Sequence, residues 1–185
     1  MTTVVELVRQ VAPQANTVYQ LAFEAGDPLL VQHSVTTPLR VAHFLAQALH
    51  ETGGFSVLEE NLSYSATRIL QVFGVGRHSA AVTPAEAPSL ARNPRGLAER
   101  VYGVGNPRKA RELGNTVAGD GYNYRGRGIL QTTGRVNYQR LAEQTGIAFE
   151  AIPGLLIEAR YALLPALQFW TNANLNSYAD LNDIT

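Results

Sequence analysis

Apolar residues recur at helical spacing along most of the chain, and the breaks between these runs carry helix-capping chemistry. Val4, Leu7, Val8 and Val11 line one face of a first helix over residues 3–11, stopped by Pro13. Asn16 is placed to cap a second helix, with Val18, Leu21 and Ala22 on one face and an end near Gly26. Residues 26–36 read as a loop. Thr37-Pro38 then sets a capping hydroxyl before a proline at the first helical position. The helix it starts, Pro38 to Thr52, presents Val41, Phe44, Leu45, Ala48 and Leu49 to a core and is the central buried helix. Ser65 caps a helix over 66–73 that Gly74 closes, and Thr83-Pro84 and Asn93-Pro94 mark two more starts. The polar segment between Gly103 and Gly121, with its Arg and Lys residues, reads as a mobile loop. In residues 119–138, GDGYNYRGRGILQTTGRVNY, glycine density and alternating aromatics predict a turn and a short extended stretch rather than a helix. Helical spacing returns from Arg135 through Val136, Tyr138, Leu141 and Ala142 to a stop at Gly146. A last long helix carries Ile157, Tyr161, Leu164, Leu167, Phe169 and Trp170, with a kink expected at Pro165 and both Phe169 and Trp170 assigned to the core. The pattern is mainly α with one small β element around 119–133.

Composition narrows the function classes. A chain of 185 residues is long enough for a sizeable core in a single domain. Fifteen basic and fifteen acidic residues cancel, which disfavours a duplex-binding surface. With no cysteine there are neither disulfides nor thiolate metal sites, in keeping with a reducing compartment. No apolar run approaches membrane-spanning length, and the start MTTVVELVRQVAPQ lacks the basic n-region and long apolar h-region of a secretory signal. These features predict a chain made in the cytoplasm without a signal peptide, without stable membrane association.

Candidate chemistry concentrates in His50–Asn61, HETGGFSVLEEN. Gly53-Gly54 stops the central helix, so Glu51 lies in its last turn, where the negative end of the helix dipole favours a protonated carboxyl. Glu59 and Glu60 follow across the glycine turn, too far along the chain to be helix neighbours of Glu51. One carboxyl biased towards its acid form and another free to ionise is the pairing that glycoside hydrolysis uses. The bland alternative is a helix end followed by solvated glutamates. The stretch GDGYNYRGRG is not a phosphate loop, because it lacks the P-loop lysine and a preceding Val/Ile-rich strand. Its glycines carry Tyr122, Tyr124, Arg125 and Arg127, and Gln131, Thr133 and Asn137 follow. Aromatic faces with amides and hydroxyls suit an N-acetylated sugar. A hairpin whose arginines make structural ion pairs is the alternative.

Together, FLAQALHETGGF (44–55), EENLSYSA (59–66), ELGNTVAGDGYNYRGRGILQTTGRVNY (112–138) and FWTNANLNSYAD (169–180) resemble family 19 glycoside hydrolases, the lysozyme-like group of chitinases and many phage endolysins. The resemblance implies a two-lobed, mainly helical lysozyme-like domain spanning 1–185. It implies that Glu51 is the general acid and Glu60 the base, with Glu59 as rival for the second role. It further implies that Gln131, Thr133 and Asn137 hold substrate, Thr133 also orienting the attacking water, and that Tyr124 and Arg127 shape the cleft. The implied reaction is inverting hydrolysis of β-1,4 linkages in an N-acetylglucosamine polymer. Peptidoglycan is the first choice of substrate and chitin the second, by a monomer acting on the cell wall after release. Two departures stand out: the family usually continues past an LNSYADLNDIT-like segment into an Ile-Asn-Gly-Gly stretch and a closing helix, and the plant disulfides are absent. The first of these favours the alternative of an inactive carbohydrate-binding relic. His43 and His50 form no HxxxH or HExxH pattern, so neither a metal nor any other cofactor is expected.

Overall fold

The computed structural model describes residues 3–183. In chain order the α-helices are α1 (Val4–Val11), α2 (Thr17–Glu24), α3 (Asp27–Gln32), α4 (Pro38–Thr52), α5 (Ala66–Phe73), α6 (Ala87–Leu90) and α7 (Pro94–Val101). They continue as α8 (Pro107–Leu113), α9 (Asp120–Asn123), α10 (Arg135–Thr145), α11 (Leu164–Asn172) and α12 (Leu175–Asp180), with a 3-10 turn at Pro153–Ile157. The fold is mainly helical, as the apolar spacing predicts. Among the described residues no helix is long and apolar enough to cross a membrane. The chain's end at Thr185, on which the expected lack of a closing segment rests, lies outside the described residues, as do the first two residues.

Two compact units share the chain. The first comprises the residues up to Glu59, Arg127–Gln131 and the chain from Gly154 on. Its core gathers Val8, Tyr19, Phe23, Phe44, Leu45, Phe55, Leu167 and Trp170. Here α1 packs on α2, and α12 on both α4 and α11. The second comprises Glu60–Gly126 and Thr132–Pro153. Leu62, Ile69, Phe73, Val82, Leu97 and Val101 form its main cluster, with α7 against α9 and α10 against α8.

α4 and its C-terminal turn set the frame of the first unit. Thr37 caps the helix by accepting from the Arg40 N–H, and Phe44, Leu45, Ala48 and Thr52 are buried along one face. Gly53 closes it in the left-handed conformation at φ 56°. The fully buried Thr52 donates its hydroxyl to the Ala48 carbonyl at 2.6 Å and accepts from the Phe55 N–H at 2.8 Å. Phe55, also fully buried, packs against Tyr19 and Phe23 with ring centroids 5.4 and 5.2 Å away.

Several expectations need correction. Residues 26–36 are not a loop throughout: Pro28 lies in the first turn of α3, which buries Leu30. The segment 103–121 holds α8, started by an Asn106 side chain that accepts from the Lys109 N–H. Its charges ride the exposed side of a capped helix. Pro165 begins α11 instead of kinking a longer helix, since a proline in the first turn leaves no hydrogen bond unmade. Trp170 is core, edge-on to Phe44, but Phe169 is 55% exposed. Around 119–133 the described residues hold the helical turn α9 and one antiparallel bridge, Glu59 to Arg127. Glycine spacing supplied the turns, but a strand needs a ladder of partners and only Arg127 finds one. Thr83-Pro84 opens a turn ahead of α6.

Thr52→Val keeps volume but strands the buried Phe55 N–H. Urea unfolding is expected to show a loss of about 1–3 kcal/mol; an unchanged midpoint would mean that the Thr52 hydroxyl is not what closes this turn.

Candidate active site

In the first unit, Glu51 occupies the last turn of α4, where its side chain is exposed and accepts from Gln47 Nε2 at 2.8 Å. Solvent screens the helix dipole at such a position. Glu59 behaves differently. It is half-buried and pairs through Oε1 with Arg127 Nε at 2.6 Å, and Arg127 is only 5% exposed. The Leu58 carbonyl also accepts from the Gly128 N–H, so the Glu59 and Arg127 segments are joined by backbone and by charge. Gln131 has a left-handed backbone at φ 47°, and both its backbone N–H and its Nε2 donate to the Gly128 carbonyl. A non-glycine residue held there stores strain, a recurrent feature of functional loops.

In the second unit, Glu60 is half-buried and both its oxygens accept hydrogen bonds. Tyr102 donates its hydroxyl to Oε1 at 2.7 Å, and the Gly126 N–H reaches Oε2 at 3.4 Å. The Glu60 N–H donates in turn to the Gly126 carbonyl at 2.9 Å. Burial pushes the Glu60 carboxyl above the ordinary glutamate value, and the bonds from Tyr102 and Gly126 and the charge of Arg125 only partly offset it. Burial, together with the adjacent Glu60 carboxylate, pushes the Tyr102 phenol far up, so it remains a donor.

Tyr124 is 5% exposed, stacks edge-on to Tyr138 and donates its hydroxyl to the Glu150 carbonyl. Arg135 links Asp120 and Glu150 and lies over the Tyr124 ring. The buried Tyr124 and Arg127 therefore brace the backbone of the 119–133 stretch, and the expectation of structural ion pairs holds for Arg127. Thr133 and Asn137 are brought together, with Asn137 Nδ2 donating to the Thr133 carbonyl at 2.7 Å. The structure thus holds Glu51, Glu59, Arg127 and Gln131 in the first unit, and Glu60, Tyr124, Thr133 and Asn137 in the second.

Sequence reasoning missed Tyr102. It lies 42 positions from Glu60 and no local spacing links them. The one available signal was a tyrosine at the end of an amphipathic helix, just before a glycine. Histidines take up structural contacts: His43 bonds Asn182 and His33 bonds Thr171. Among the described residues no group of three or more His, Cys, Asp or Glu residues is arranged to hold a metal ion.

No family model matches the chain. It is similar to a glycosyl hydrolase family 19 domain-containing protein of Haemophilus influenzae, 38% identical over 126 residues, which is 67% of this chain. The chain spans 58% of that relative's length.

Tyr102→Phe removes a bond that favours the ionised carboxyl, so the Glu60 pKa is expected to rise further. A carbon-13 titration of the Glu60 side-chain carboxyl reads this directly; a fall would show that the phenol does not stabilise the charge.

Proposed function

The chain belongs to glycoside hydrolase family 19, and from that premise we propose that it hydrolyses β-1,4 linkages in an N-acetylglucosamine-containing polymer by inversion, with Glu51 as acid and Glu60 as base. The observation that carries this reading is the setting of Glu60. A general base must reach the reaction ionised, oriented and basic enough to take a proton from water. Two neutral donors, the Tyr102 hydroxyl and the Gly126 N–H, orient the Glu60 carboxylate, and burial raises its proton affinity. Glu59 lacks that freedom, because its carboxylate is engaged by the buried Arg127. This supports Glu60 over its neighbour as the base.

In the proposed reaction the Glu51 carboxyl gives its proton to the leaving glycosidic oxygen. Water attacks the anomeric carbon from the opposite sugar face while Glu60 accepts the water's proton. Inversion requires the two carboxyls to stand roughly 6.5–9.5 Å apart, leaving room for that water. Thr133 orients the water, and Gln131 and Asn137 hold the sugar. Peptidoglycan is the first substrate choice and chitin the second, by a monomer that reaches the wall after release from the cytoplasm. Reducing ends released from purified cell walls and from chitin oligomers decide between them, and a protein that binds both but releases neither is the binding relic.

Loss of either carboxyl is expected to cost on the order of 10²–10⁴ in rate. Glu51→Gln and Glu60→Gln therefore fold and lose turnover; wild-type rates in Glu51→Gln would remove the acid assignment. Glu59→Gln is expected to act on stability instead, since it takes the carboxylate from the buried Arg127 while Glu59 itself is only half-buried, a loss of about 1–3 kcal/mol. A stable Glu59→Gln with the larger activity loss would move the base by one residue. Because the Glu60 pKa is raised, the acidic limb of the rate profile should lie above the usual glutamate range: below it Glu60 is protonated and cannot accept the water's proton. Proton NMR of the first product, read before mutarotation, is expected to show the α-anomer, and a β-anomer would rule out inversion.

A further inference from the structure

We propose that Arg95 and Arg125, gathered over the ring of Tyr122, form a carboxylate-binding subsite that selects anionic, peptide-bearing wall glycan over neutral chitin. The proposal rests on the glycan reading above and adds what distinguishes its two candidate substrates. Both guanidinium groups lie over one ring, with Cζ 4.5 Å from the Tyr122 centroid for Arg95 and 4.0 Å for Arg125. Tyr122 is half-buried and Arg95 is exposed. Gathering two cations on one ring opposes their mutual repulsion, which the ring's π face offsets only in part.

The surrounding carboxylates do not take up the Arg95 charge. Glu99, one turn further along α7, accepts from the Tyr122 N–H at 3.3 Å through Oε1, while its buried Oε2 has no partner. Glu60 is engaged by Tyr102 and Gly126 and feels the charge of Arg125. Among the described residues Arg95 has no carboxylate partner, and its exposed side chain, with Cζ over the Tyr122 ring, is accessible to one from solution. Arg125 fixes the other side of the arrangement by donating Nη1 to the Tyr122 carbonyl at 2.8 Å. Its neighbour Gly126 donates to Glu60, so the cation pair and the proposed base are one peptide apart.

The chemistry separates the substrates. Chitin offers hydroxyls and acetamides, which gain little from a planar cation. Wall glycan carries lactyl-linked peptides ending in carboxylates, which a guanidinium binds through two parallel hydrogen bonds. A subsite beside the base that holds such a group would raise affinity for peptide-bearing strands and leave neutral oligomers unaffected.

Arg95→Gln tests this without touching Arg125, whose charge acts on Glu60. The substrates are native sacculi, the same sacculi with their carboxylates amidated by carbodiimide and methylamine, and chitin oligomers. The expected result is about a tenfold loss of binding to native sacculi, the worth of one charge-assisted hydrogen bond, with amidated sacculi and chitin oligomers bound as by wild type. Arg95→Lys should retain part of the preference. Co-sedimentation measures binding without turnover, so the subsite is decided even where no polymer is cleaved; reducing-end release separately decides the glycosidase reading. Equal loss on native and amidated sacculi, or no loss on either, overturns the proposal. So does a wild type that binds both sacculi alike. A thermal melt matching wild type shows that the loss is not one of folding; if Arg95→Gln is unfolded, the wild-type preference for native over amidated sacculi decides the question.

Discussion

The first unit depends on a single buried residue held in a conformation it would not choose. Phe55 has a left-handed backbone at φ 59°, costly for a side chain of its size, yet it is fully buried. Its N–H goes to the Thr52 hydroxyl, its carbonyl accepts from the Asn16 N–H, and its ring lies between Tyr19 and Phe23. Aromatic burial and two hydrogen bonds together outweigh the backbone strain. Because Phe55 cannot move, the end of α4 bearing Glu51 is fixed on one side, and the chain towards Glu59 leaves on the other. Tyr19 adds a third tie by donating its hydroxyl to the Val57 carbonyl. A stretch containing two adjacent glycines is thereby made rigid by its neighbours.

Adjacent glutamates acquire different jobs through the geometry of extended chain. Successive side chains on such a backbone point to opposite sides. Glu59 meets a guanidinium and becomes part of the frame, while Glu60 meets a phenol and a peptide N–H and keeps its carboxylate in play. A guanidinium partner neutralises a carboxylate's charge, whereas neutral donors orient it without neutralising it.

Much of the helical frame was legible because caps are local chemistry. Asn16, Thr37-Pro38, Ser65, Asn93-Pro94 and Gly146 each act within three or four residues, and each marks a helix end in the structure. Asn106-Pro107 carries the same signal as Asn93-Pro94 and opens α8, but its surrounding arginines and lysine gave the segment a loop's composition. The aromatic alternation in 119–127 misled for a different reason: Tyr122 and Tyr124 alternate because one holds arginines and the other is buried, not because they lie on a strand. Of the candidate site, Glu51 and the Glu59-Glu60 pair could be picked out by eye. What separates the pair, Arg127 for one and Tyr102 for the other, comes from partners 68 and 42 positions away, and no periodicity carries that information.

The setting of Glu60 balances opposing terms, none of which suffices alone. Burial by itself favours the protonated carboxyl, which cannot act as a base. A carboxylate paired with a guanidinium, as Glu59 is with Arg127, has its charge taken up by that partner. Tyr102 and Gly126 supply hydrogen bonds to the ionised form, and Arg125 adds a more distant positive charge with its own guanidinium engaged over Tyr122. The net displacement is upward, so desolvation prevails. Linkage fixes the sign of the effect on folding: a carboxyl whose folded pKa is raised contributes stability at acid pH that is lost as pH rises through that value. Ionised Glu60 therefore opposes folding under the conditions in which it would act as a base. A side chain kept at a cost to stability, and satisfied only by partners that orient it, fits a group retained for its chemistry.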